Sequence, residues 1–431
     1  MTDLSTGVAA PHAPPHGPPP APLLRRAAPA VLAYAAVRAL GLVVLAVWSA
    51  ARGTSALTLL TARWDSLWYT RVAELGYGYQ VRLPNGDVHS NLAFFPLLPW
   101  LERLLHALTG LPYGQAGLVV SLVASLAAAA GIFAVAEHVH GPRVGLCAVL
   151  LWAVLPVAAV QSMAYSESLF TALAAWALYA LLTGRWVGAG LLAALAGLTR
   201  PVGGAVVAAV WVAAAASFVR DRSAARLDGA RPPAHAPAHT AVPSGTAASG
   251  TAASGTAASG TAASGTAVRR LLGVLLAPLG AAGYVLWVGH RTGKGPLGYL
   301  DVQAGWRNGF DGGYAFARFV AEKFTSFPAA LAGAGLIAGV ALLLWLYVAG
   351  VRRGQPLELL VYTGVVLALA LCASSYFGSK PRLLLPAFPV LFPLAAALAR
   401  LRTSRSVLVT VGLAIVSAAY GAFWLNGSGP P

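Results

Sequence analysis

Charged residues are scarce in this chain of 431 residues, of which only 10% are Asp, Glu, Lys or Arg. A soluble globular domain carries about 25% charged residues, whereas 58% of this chain is hydrophobic. The composition therefore excludes an ordinary soluble domain and predicts a protein that crosses a membrane several times. Acidic residues are the rarer sign, 13 against 29 Lys and Arg, so the net charge is +16. Because the basic residues are scattered between apolar runs, they indicate cytoplasmic loops rather than a nucleic-acid surface.

Cysteine and nucleotide-binding motifs are also lacking. The two cysteines, Cys147 and Cys372, both fall inside apolar runs, which argues against a disulfide framework or a thiolate metal site. The sequence has no Walker loop, no dinucleotide fingerprint and no HExxH motif, so a cytosolic nucleotide donor is not indicated. We therefore expect no cofactor and assign no metal ligand.

What the chain does contain is a series of eleven apolar runs. Most of them approach the ~20 residues that a spanning helix needs, and each must be helical because lipid offers the backbone no hydrogen-bond partner. The run 186–198 is short, but we count it as a span. Without it, the basic loops either before or after it would lie on the outer side of the membrane, against the usual distribution of Lys and Arg. With the N-terminus in the cytoplasm, Lys and Arg then collect in the cytoplasmic loops. The runs are 31–50, 115–137, 143–161, 166–183, 186–198, 202–219, 268–289, 328–350, 357–375, 383–399 and 405–425.

These runs divide the chain into four parts and predict an all-α, polytopic membrane protein of about 11 transmembrane helices. A linker of SGTAA repeats has no apolar face to bury and should be flexible. Two long loops on the outer side, 51–114 and 290–327, hold most of the aromatic and acidic residues outside the helices. The predicted parts are a disordered Pro/Ala-rich cytoplasmic tail over 1–30, six helices over 31–219, the cytoplasmic linker over 220–267 and five helices over 268–431.

The first outer loop is predicted to contain helices that lie along the membrane surface. Its stretch LAFFPLLPWLERLLHALTG, residues 92–110, is apolar and broken by prolines, yet it includes Glu102, Arg103 and His106. An apolar segment of this kind with a few charges is typical of an interfacial helix rather than a spanning one.

The same loop begins with RWDSLWY, residues 63–69, which places an acid between two tryptophans. Residues 66–75 can form a short helix with Asp65 as its N-cap. Trp64 and Trp68 would then share one face of that helix and belong to an interfacial belt. Alternatively, Asp65 is a functional carboxylate at the membrane surface, and the residues alone leave both interpretations open.

Two more polar residues lie at the outer ends of helices. Glu167, in QSMAYSESLF, falls in the first turn of the fourth run, where a carboxylate either caps a hydrated helix or marks a functional site. Arg200, in GLTRPVGG, is on the outer side against the usual charge rule. It is either a snorkelling arginine or, beside a proline and two glycines that free backbone N–H groups, part of a site for an anion such as phosphate.

The stretch SYFGSKPRLLLPAFPVLFP adds two more cations on the outer side, Lys380 and Arg382. Together with Arg200 they predict a basic rim above an apolar bundle. Such an arrangement suits a lipid phosphate whose tail lies along the helices while arginines hold its charge.

In their order and spacing, these motifs resemble those of the PIG-V-like mannosyltransferases, membrane glycosyltransferases of the GT-C class. The resemblance covers roughly residues 60 to 205 and a weaker echo later in the chain. It rests on RWDSLWY, AELGYGY, LAFFPLLP, AYSESLF, GLTRPVG and PRLLLPAFP.

The resemblance implies a fold and an activity. Such enzymes have a module of seven membrane helices with an acid in the first outer loop, and they take mannose from a polyprenyl- or dolichyl-phosphate carrier on the outer or lumenal side. Asp65 matches their acid and is expected to act as general base. The implied partners are a polyprenyl-phosphate-mannose donor and a lipid or glycolipid acceptor, with no nucleic acid, and one displacement at the anomeric carbon would invert its configuration. The chain is expected in the plasma membrane, with its N-terminus in the cytoplasm and its site facing outward.

The roles expected of the other residues follow from their chemistry, because the resemblance aligns Arg200 and Glu167 with family residues without assigning them a role. Arg200, Arg382 and Lys380 should bind the donor phosphate, since stabilising the charge of the leaving group lowers the barrier. The remaining set should contact substrate, the aromatic members by packing against a sugar ring; it consists of Arg63, Trp64, Trp68, Tyr69 and Glu167.

Other functions remain open at this point. The same fold could transfer another sugar or act on a protein acceptor, and a chain with cations on the outer side could be a transporter or flippase of an anionic solute or lipid. The second outer loop, with Trp306, Arg307, Asp311 and Lys323, could shape an acceptor pocket, although nothing in its pattern says so.

Overall fold

The structure is a computed structural model, and it describes residues 21–229, 253–374 and 376–427. The first half is helical apart from one short hairpin. Its helices are α1 Leu23–Ala51, α2 Ala56–Thr61, α3 Asp65–Leu75, α4 Leu97–Thr109, α5 Tyr113–His140, α6 Pro142–Ala153, α7 Glu167–Leu182, α8 Trp186–Gly197 and α9 Gly204–Gly229. The hairpin pairs β1 Gln80–Arg82 with β2 Val88–Ser90 in antiparallel register.

The second half of the chain is also mostly helical, with one short strand pair. Its helices are α10 Ala253–Leu276, α11 Leu279–Thr292, α12 Gly298–Gly305, α13 Tyr314–Glu322, α14 Ala329–Arg352, α15 Leu357–Cys372, α16 Lys380–Leu383, α17 Phe392–Arg400 and α18 Thr403–Leu425. Two residues of β3 (Gly309–Phe310) pair with two of β4 (Ala373–Ser374), and this joins the second outer loop to the end of α15. The predicted all-α class is confirmed.

Each of the eleven apolar runs contains a helix, but the helices differ in length. Within the described residues, six helical segments are long and apolar enough to cross a membrane, and a pair bent by 77° between α16 and α17 would be a seventh. Four apolar helices are shorter, namely α6, α7, α8 and α15. Pro156 follows α6, and the chain continues from there as a short 3₁₀ helix, Ala158–Ser162, because proline interrupts helical hydrogen bonding. The count of eleven spans therefore stays a prediction.

Several predicted boundaries shift. Helix α1 begins at Leu23, inside the tail predicted over 1–30, while residues 1–20 lie outside the described residues. Helices α9 and α10 both extend into the predicted linker over 220–267. Both described ends of that linker are rich in alanine, the residue with the highest helix propensity. Its middle, 230–252, is also outside the described residues.

Small residues let the central helices pack closely. Helices α5 and α7 are rich in alanine, and a Cβ added at Gly131 of α5 would come within 2.9 Å of the Ala175 methyl of α7. Close approach through small residues is the usual packing mode of membrane helices. In the same core, Tyr34 of α1 stacks on Trp152 of α6, whose indole N–H donates to the Leu385 carbonyl. These contacts join α5 to α7, α1 to α6, and α6 to the segment that follows α16.

The first outer loop contains the predicted surface helix. In α4, Leu98 and Glu102 are buried while Trp100, Leu104 and Leu108 are exposed. The exposed three are spaced four residues apart and so form one apolar stripe. An exposed apolar stripe outside the long helices is what the interfacial prediction requires.

Candidate functional site

The candidate site lies where the N-terminal ends of α3 and α7 meet the connection between α8 and α9 and the single turn of α16. Each local sequence explains why its polar residue is placed there. Glu167 opens α7, so its carboxylate lies in the first turn of that helix. Arg200 precedes Pro201 and has an extended backbone, as expected because proline excludes the helical conformation for the residue before it.

Four charged side chains from these elements form one alternating series, which we call the ion ladder: Asp65, Arg382, Glu167 and Arg200. The Arg382 guanidinium is 2.7 Å from the Asp65 carboxylate, with its Nε 3.8 Å from Glu167 Oε1. Arg200 is 2.5 Å from the same Glu167 oxygen. The ladder contains two carboxylates and two guanidiniums, so its formal charges cancel.

Burial is uneven along the ion ladder. The Glu167 side chain is 2% exposed, those of Arg382 and Arg200 are 10% and 13% exposed, and that of Asp65 is 22% exposed. Removing charges from water costs several kcal/mol per ion unless good geometry compensates for it. Asp65 is therefore the member that a reactant from outside would meet first, and Glu167 is the innermost.

The contacts within the ion ladder are poorly aligned as hydrogen bonds. Within the described part of the chain, neither Glu167 oxygen accepts a hydrogen bond, and Nε and one terminal nitrogen of Arg382 donate none. Buried polar groups are nearly always hydrogen-bonded, and exceptions call for an explanation. Two Arg382 nitrogens are therefore buried and paired by charge with the carboxylates without making aligned hydrogen bonds to them.

Two residues that we did not predict, Tyr165 and Ser166, connect the ladder to its surroundings. The Asp65 backbone N–H donates to the Tyr165 hydroxyl (3.3 Å), and Arg382 lies over the Tyr165 ring. Ser166 Oγ accepts from Arg200 (3.2 Å) and bonds the Tyr69 hydroxyl (2.7 Å). Burial raises the pKa of both phenols above the usual range, so they remain neutral. Their position directly before Glu167 in AYSESLF was the available sequence signal.

The interpretation of Asp65 as an N-cap is wrong. Asp65 is the first residue of α3, and Trp64 occupies the cap position, with no side-chain cap hydrogen bond. Trp64 has φ = 51°, a conformation that is uncommon for a side chain of this size. The Asp65 carboxylate is thereby directed to Arg382 instead of to the helix N–H groups. The backbone strain at Trp64 is of the kind that collects at functional sites.

The two tryptophans do not share a face, because Trp64 is outside the helix. Trp64 packs near Leu45 and Leu60, whereas Trp68 packs with Tyr69 in a separate cluster. Trp68 stacks on Phe94 with the rings nearly parallel, and Trp306 packs edge-on against it. The expected contact of these rings with a sugar stays a prediction.

Two predicted cations are turned away from the ion ladder. The Lys380 ammonium donates to the carbonyls of Ala370 (2.9 Å) and Ala373 (2.7 Å) at the end of α15. Arg63 donates to the carbonyls of Leu425 and Gly427 at the end of α18 and stacks over Trp64. A cation at the C-terminal end of a helix is favoured by the helix dipole. Both positions therefore have a structural explanation.

The second outer loop packs against the first. The Trp306 indole donates to the Ser90 carbonyl (3.0 Å) and stacks on His89, while Arg307 pairs with Asp87 at 2.6 Å. Asp311 accepts two backbone N–H bonds at the start of α13. These residues fix the β1–β2 hairpin and α13 in place beside the site. Lys323 lies over the Phe319 ring at the end of α13.

A second buried carboxyl, Glu102, lies apart from the ion ladder. It is fully buried on α4, and no group in the described residues donates a hydrogen bond to it. It presses on α5 where Gly117 leaves room, since a Cβ there would clash with the carboxyl. Burial raises the pKa of Glu102 well above its usual range, which keeps the group protonated. Over the described ranges, no three His, Cys, Asp or Glu side chains are grouped as metal ligands.

Comparison with known proteins finds similarity to mannosyltransferases over part of the chain. Residues 91–227 match the family described as dolichyl-phosphate-mannose-protein mannosyltransferase. That segment includes Glu167 and Arg200, whereas Asp65 and Arg382 lie outside it. The chain is 35% identical to the GPI alpha-1,6-mannosyltransferase 2 of Mus musculus and 34% identical to that of Rattus norvegicus, each over 152 residues. Each match covers 33% of this chain and only 29% of the relative's length.

Two solved structures have a loosely similar architecture. One is ArnT from Cupriavidus metallidurans bound to undecaprenyl phosphate, with 16% identity and a TM-score of 0.49 over 89% of this chain and 63% of that one. The other is the oligosaccharyltransferase AglB from Archaeoglobus fulgidus, in complex with an inhibitory peptide and a dolichol-phosphate. It has 13% identity and a TM-score of 0.44 over 92% and 56% of the two chains. The resemblance predicted from the motifs is confirmed by the sequence matches: over about a third of its length, this chain is similar to mannosyltransferases.

Proposed function

We propose that this chain is a membrane mannosyltransferase. It transfers mannose from a polyprenyl-phosphate-linked donor to a lipid or glycolipid acceptor, with inversion at the anomeric carbon. The sequence similarity to mannosyltransferases supports the reaction class. The site argues for the donor class, because function must be argued from a site rather than from a fold.

The observation that carries the proposal is the ion ladder. Two guanidiniums and two carboxylates from four separate elements meet in one mostly buried place. A buried ion pair is often no more stable than apolar residues of similar volume, so stability alone does not account for the ladder. Guanidiniums bind phosphate oxygens in a forked geometry, and a carboxylate within hydrogen-bond reach can accept the proton of a hydroxyl.

The roles of the residues follow from this chemistry. The acceptor hydroxyl attacks C1 of mannose, and its proton passes to Asp65. The bond between C1 and the phosphate oxygen breaks, and the electron pair remains on the phosphate. Arg382 and Arg200 stabilise the charge that develops there. Glu167 lies within reach of both guanidiniums and holds them in position.

The environment of the reaction is part of the proposal. The exposed apolar stripe of α4 and the aromatic outer loops support a site at the membrane surface. We propose the plasma membrane as the location, with the N-terminus in the cytoplasm and the site on the outer side, and a reaction that needs no cofactor.

The proposal is tested by a transfer assay with purified protein in detergent or liposomes. Polyprenyl-phosphate-mannose carrying labelled mannose is the donor, and a membrane lipid extract is the acceptor pool. We expect a labelled lipid product from the wild type and a loss of about a hundredfold or more in Asp65→Asn. Asp301→Asn is the matched control, because Asp301 forms an exposed pair with Lys294 outside the ladder.

Other outcomes have defined meanings. Equal transfer by the wild type and Asp65→Asn would contradict the role of Asp65 as base. Transfer from a donor carrying another sugar, or onto a protein, would keep the site and change the substrate. Translocation of an anionic lipid or solute, without any transfer product, would replace the enzyme by a transporter or flippase. Retained anomeric configuration in the product would contradict a single displacement.

A further inference from the structure

We propose that donor binding exposes the catalytic base: the donor phosphate replaces Asp65 on the Arg382 guanidinium, and only then is Asp65 free to accept a proton. This inference rests on the proposed function and adds an order of events to it. The lipid-phosphate donor binds first, and the acceptor hydroxyl is deprotonated only in the complex that the donor has formed.

In the structure, the carboxylate proposed as base is already paired with a guanidinium. The Asp65 carboxylate lies 2.7 Å from the Arg382 guanidinium. In this resting form the carboxylate is engaged in an ion pair, so an acceptor hydroxyl must compete with the guanidinium for its oxygens. Removal of Arg382 from Asp65 leaves those oxygens free for the hydroxyl.

Arg382 is suited to change partners. Its side chain is 10% exposed, and the terminal nitrogen that lies 2.7 Å from Asp65 makes no aligned hydrogen bond with that carboxylate. Its Nε likewise donates no aligned hydrogen bond to any described group. A guanidinium has five N–H donors in a planar fork that matches phosphate oxygens. A phosphate can therefore offer this side chain bonds that the carboxylates of the ladder do not make.

The ladder also determines which carboxylate is displaced. Glu167 is 2% exposed and has Arg200 at 2.5 Å in addition to Arg382. The Asp65 side chain is 22% exposed and forms its ion pair with Arg382. A phosphate arriving from outside meets the contact between Arg382 and Asp65, while the inner pair of Glu167 and Arg200 remains in place.

The charge balance leads to the same order of events. The resting ladder is neutral, so a bound phosphodiester makes the site negative by one charge. Cleavage of the bond to C1 increases the negative charge on the phosphate, and the proton that Asp65 accepts compensates for it. The net charge of the site is therefore unchanged by the transfer when a released Asp65 takes the proton.

The test is the affinity of the wild type and Asp65→Asn for polyprenyl phosphate, the lipid released in the reaction. Binding is measured in detergent by titration with a fluorescent polyprenyl phosphate, in the absence of sugar. Because the amide does not compete for Arg382, we expect Asp65→Asn to bind about three- to tenfold more tightly than the wild type. Asp65→Ala serves as a second variant if Asp65→Asn folds poorly, and Asp301→Asn should match the wild type.

Equal or weaker binding by the folded Asp65 variants, alongside measurable binding by the wild type, would overturn the exchange while leaving the proposed function intact. Loss of binding in Arg382→Gln is also required, because the phosphate is held by that guanidinium. No binding of the lipid phosphate by any form of the protein would overturn the proposed function and this inference with it.

Discussion

Two buried carboxyls near the outer loops have opposite surroundings. Glu167 has the Arg200 guanidinium at 2.5 Å and that of Arg382 at 3.8 Å, whereas Glu102 faces Gly117 and Ala164, with no donor among the described residues. Burial keeps Glu102 neutral by raising its pKa. The difference shows that burial alone does not indicate a site. It is the group of opposite charges removed from water, at a cost, that calls for a functional explanation.

The largest effect is expected when the Arg382 guanidinium, the group expected to bind the donor phosphate, is removed from the ion ladder. Arg382→Gln removes the guanidinium that is expected to stabilise the leaving phosphate, so transfer per folded molecule should fall about a hundred- to a thousandfold. Lys380→Gln is the informative neighbour, because the Lys380 ammonium is bound to two carbonyls instead of the ladder. We expect it to lower the thermal midpoint, with a much smaller loss of transfer. Similar losses in both variants would restore Lys380 as a phosphate ligand.

The next effect concerns stability. Arg200→Gln leaves the buried Glu167 carboxylate with the more distant Arg382 alone, and breaking a buried pair from one side costs about 3–5 kcal/mol. Thermal unfolding in detergent should therefore show a large drop in the midpoint. The double variant Arg200→Gln/Glu167→Gln should recover part of this loss, since the carboxylate without a partner is gone. Additive losses would mean that the two residues do not act as a pair.

The smallest expected effect is the dependence of stability on pH at Glu102. The folded protein keeps this proton to a higher pH than the unfolded chain does, so stability that depends on the proton is lost as pH rises above the unfolded value. Glu102→Gln has no such loss. The thermal midpoint of the variant relative to the wild type should therefore rise between about pH 5 and pH 8. A flat difference between Glu102→Gln and the wild type would mean that the carboxyl is not buried as described.

Much of the fold could be predicted from the sequence, because hydropathy and helix-breaking residues are local signals. The apolar runs, the short helix after Asp65 and the surface helix around Glu102 are all present. Helix lengths were less predictable. Pro156 interrupts the third run, and the bend between α16 and α17 depends on packing between distant parts of the chain.

The site was predicted in part. Asp65, Glu167, Arg200 and Arg382 were each singled out, and the structure brings them together. Lys380 and Arg63 are cations within the same motifs, as Arg382 is. Their side chains, however, donate to carbonyls at the ends of α15 and α18 instead of joining the ion ladder. Sequence does not report the direction of a side chain on an irregular turn. The position of Tyr165 and Ser166 directly before Glu167 was a signal, but it did not say that their hydroxyls would contact Asp65 and Arg200. The cap assigned to Asp65 failed because Trp64 takes an uncommon backbone conformation.

The assignment of the ion ladder as the active site is tested most directly by comparing two conservative acid-to-amide changes in one transfer assay. Asp65→Asn and Glu102→Gln are measured beside the wild type, with polyprenyl-phosphate-mannose as donor and rates expressed per folded molecule. We expect Asp65→Asn to lose about a hundredfold or more of its activity, while Glu102→Gln keeps a rate close to that of the wild type. If Glu102→Gln lost transfer and Asp65→Asn kept it, the carboxyl with no ion-pair partner would be the catalytic one, and the assignment of the ion ladder as the active site would be wrong.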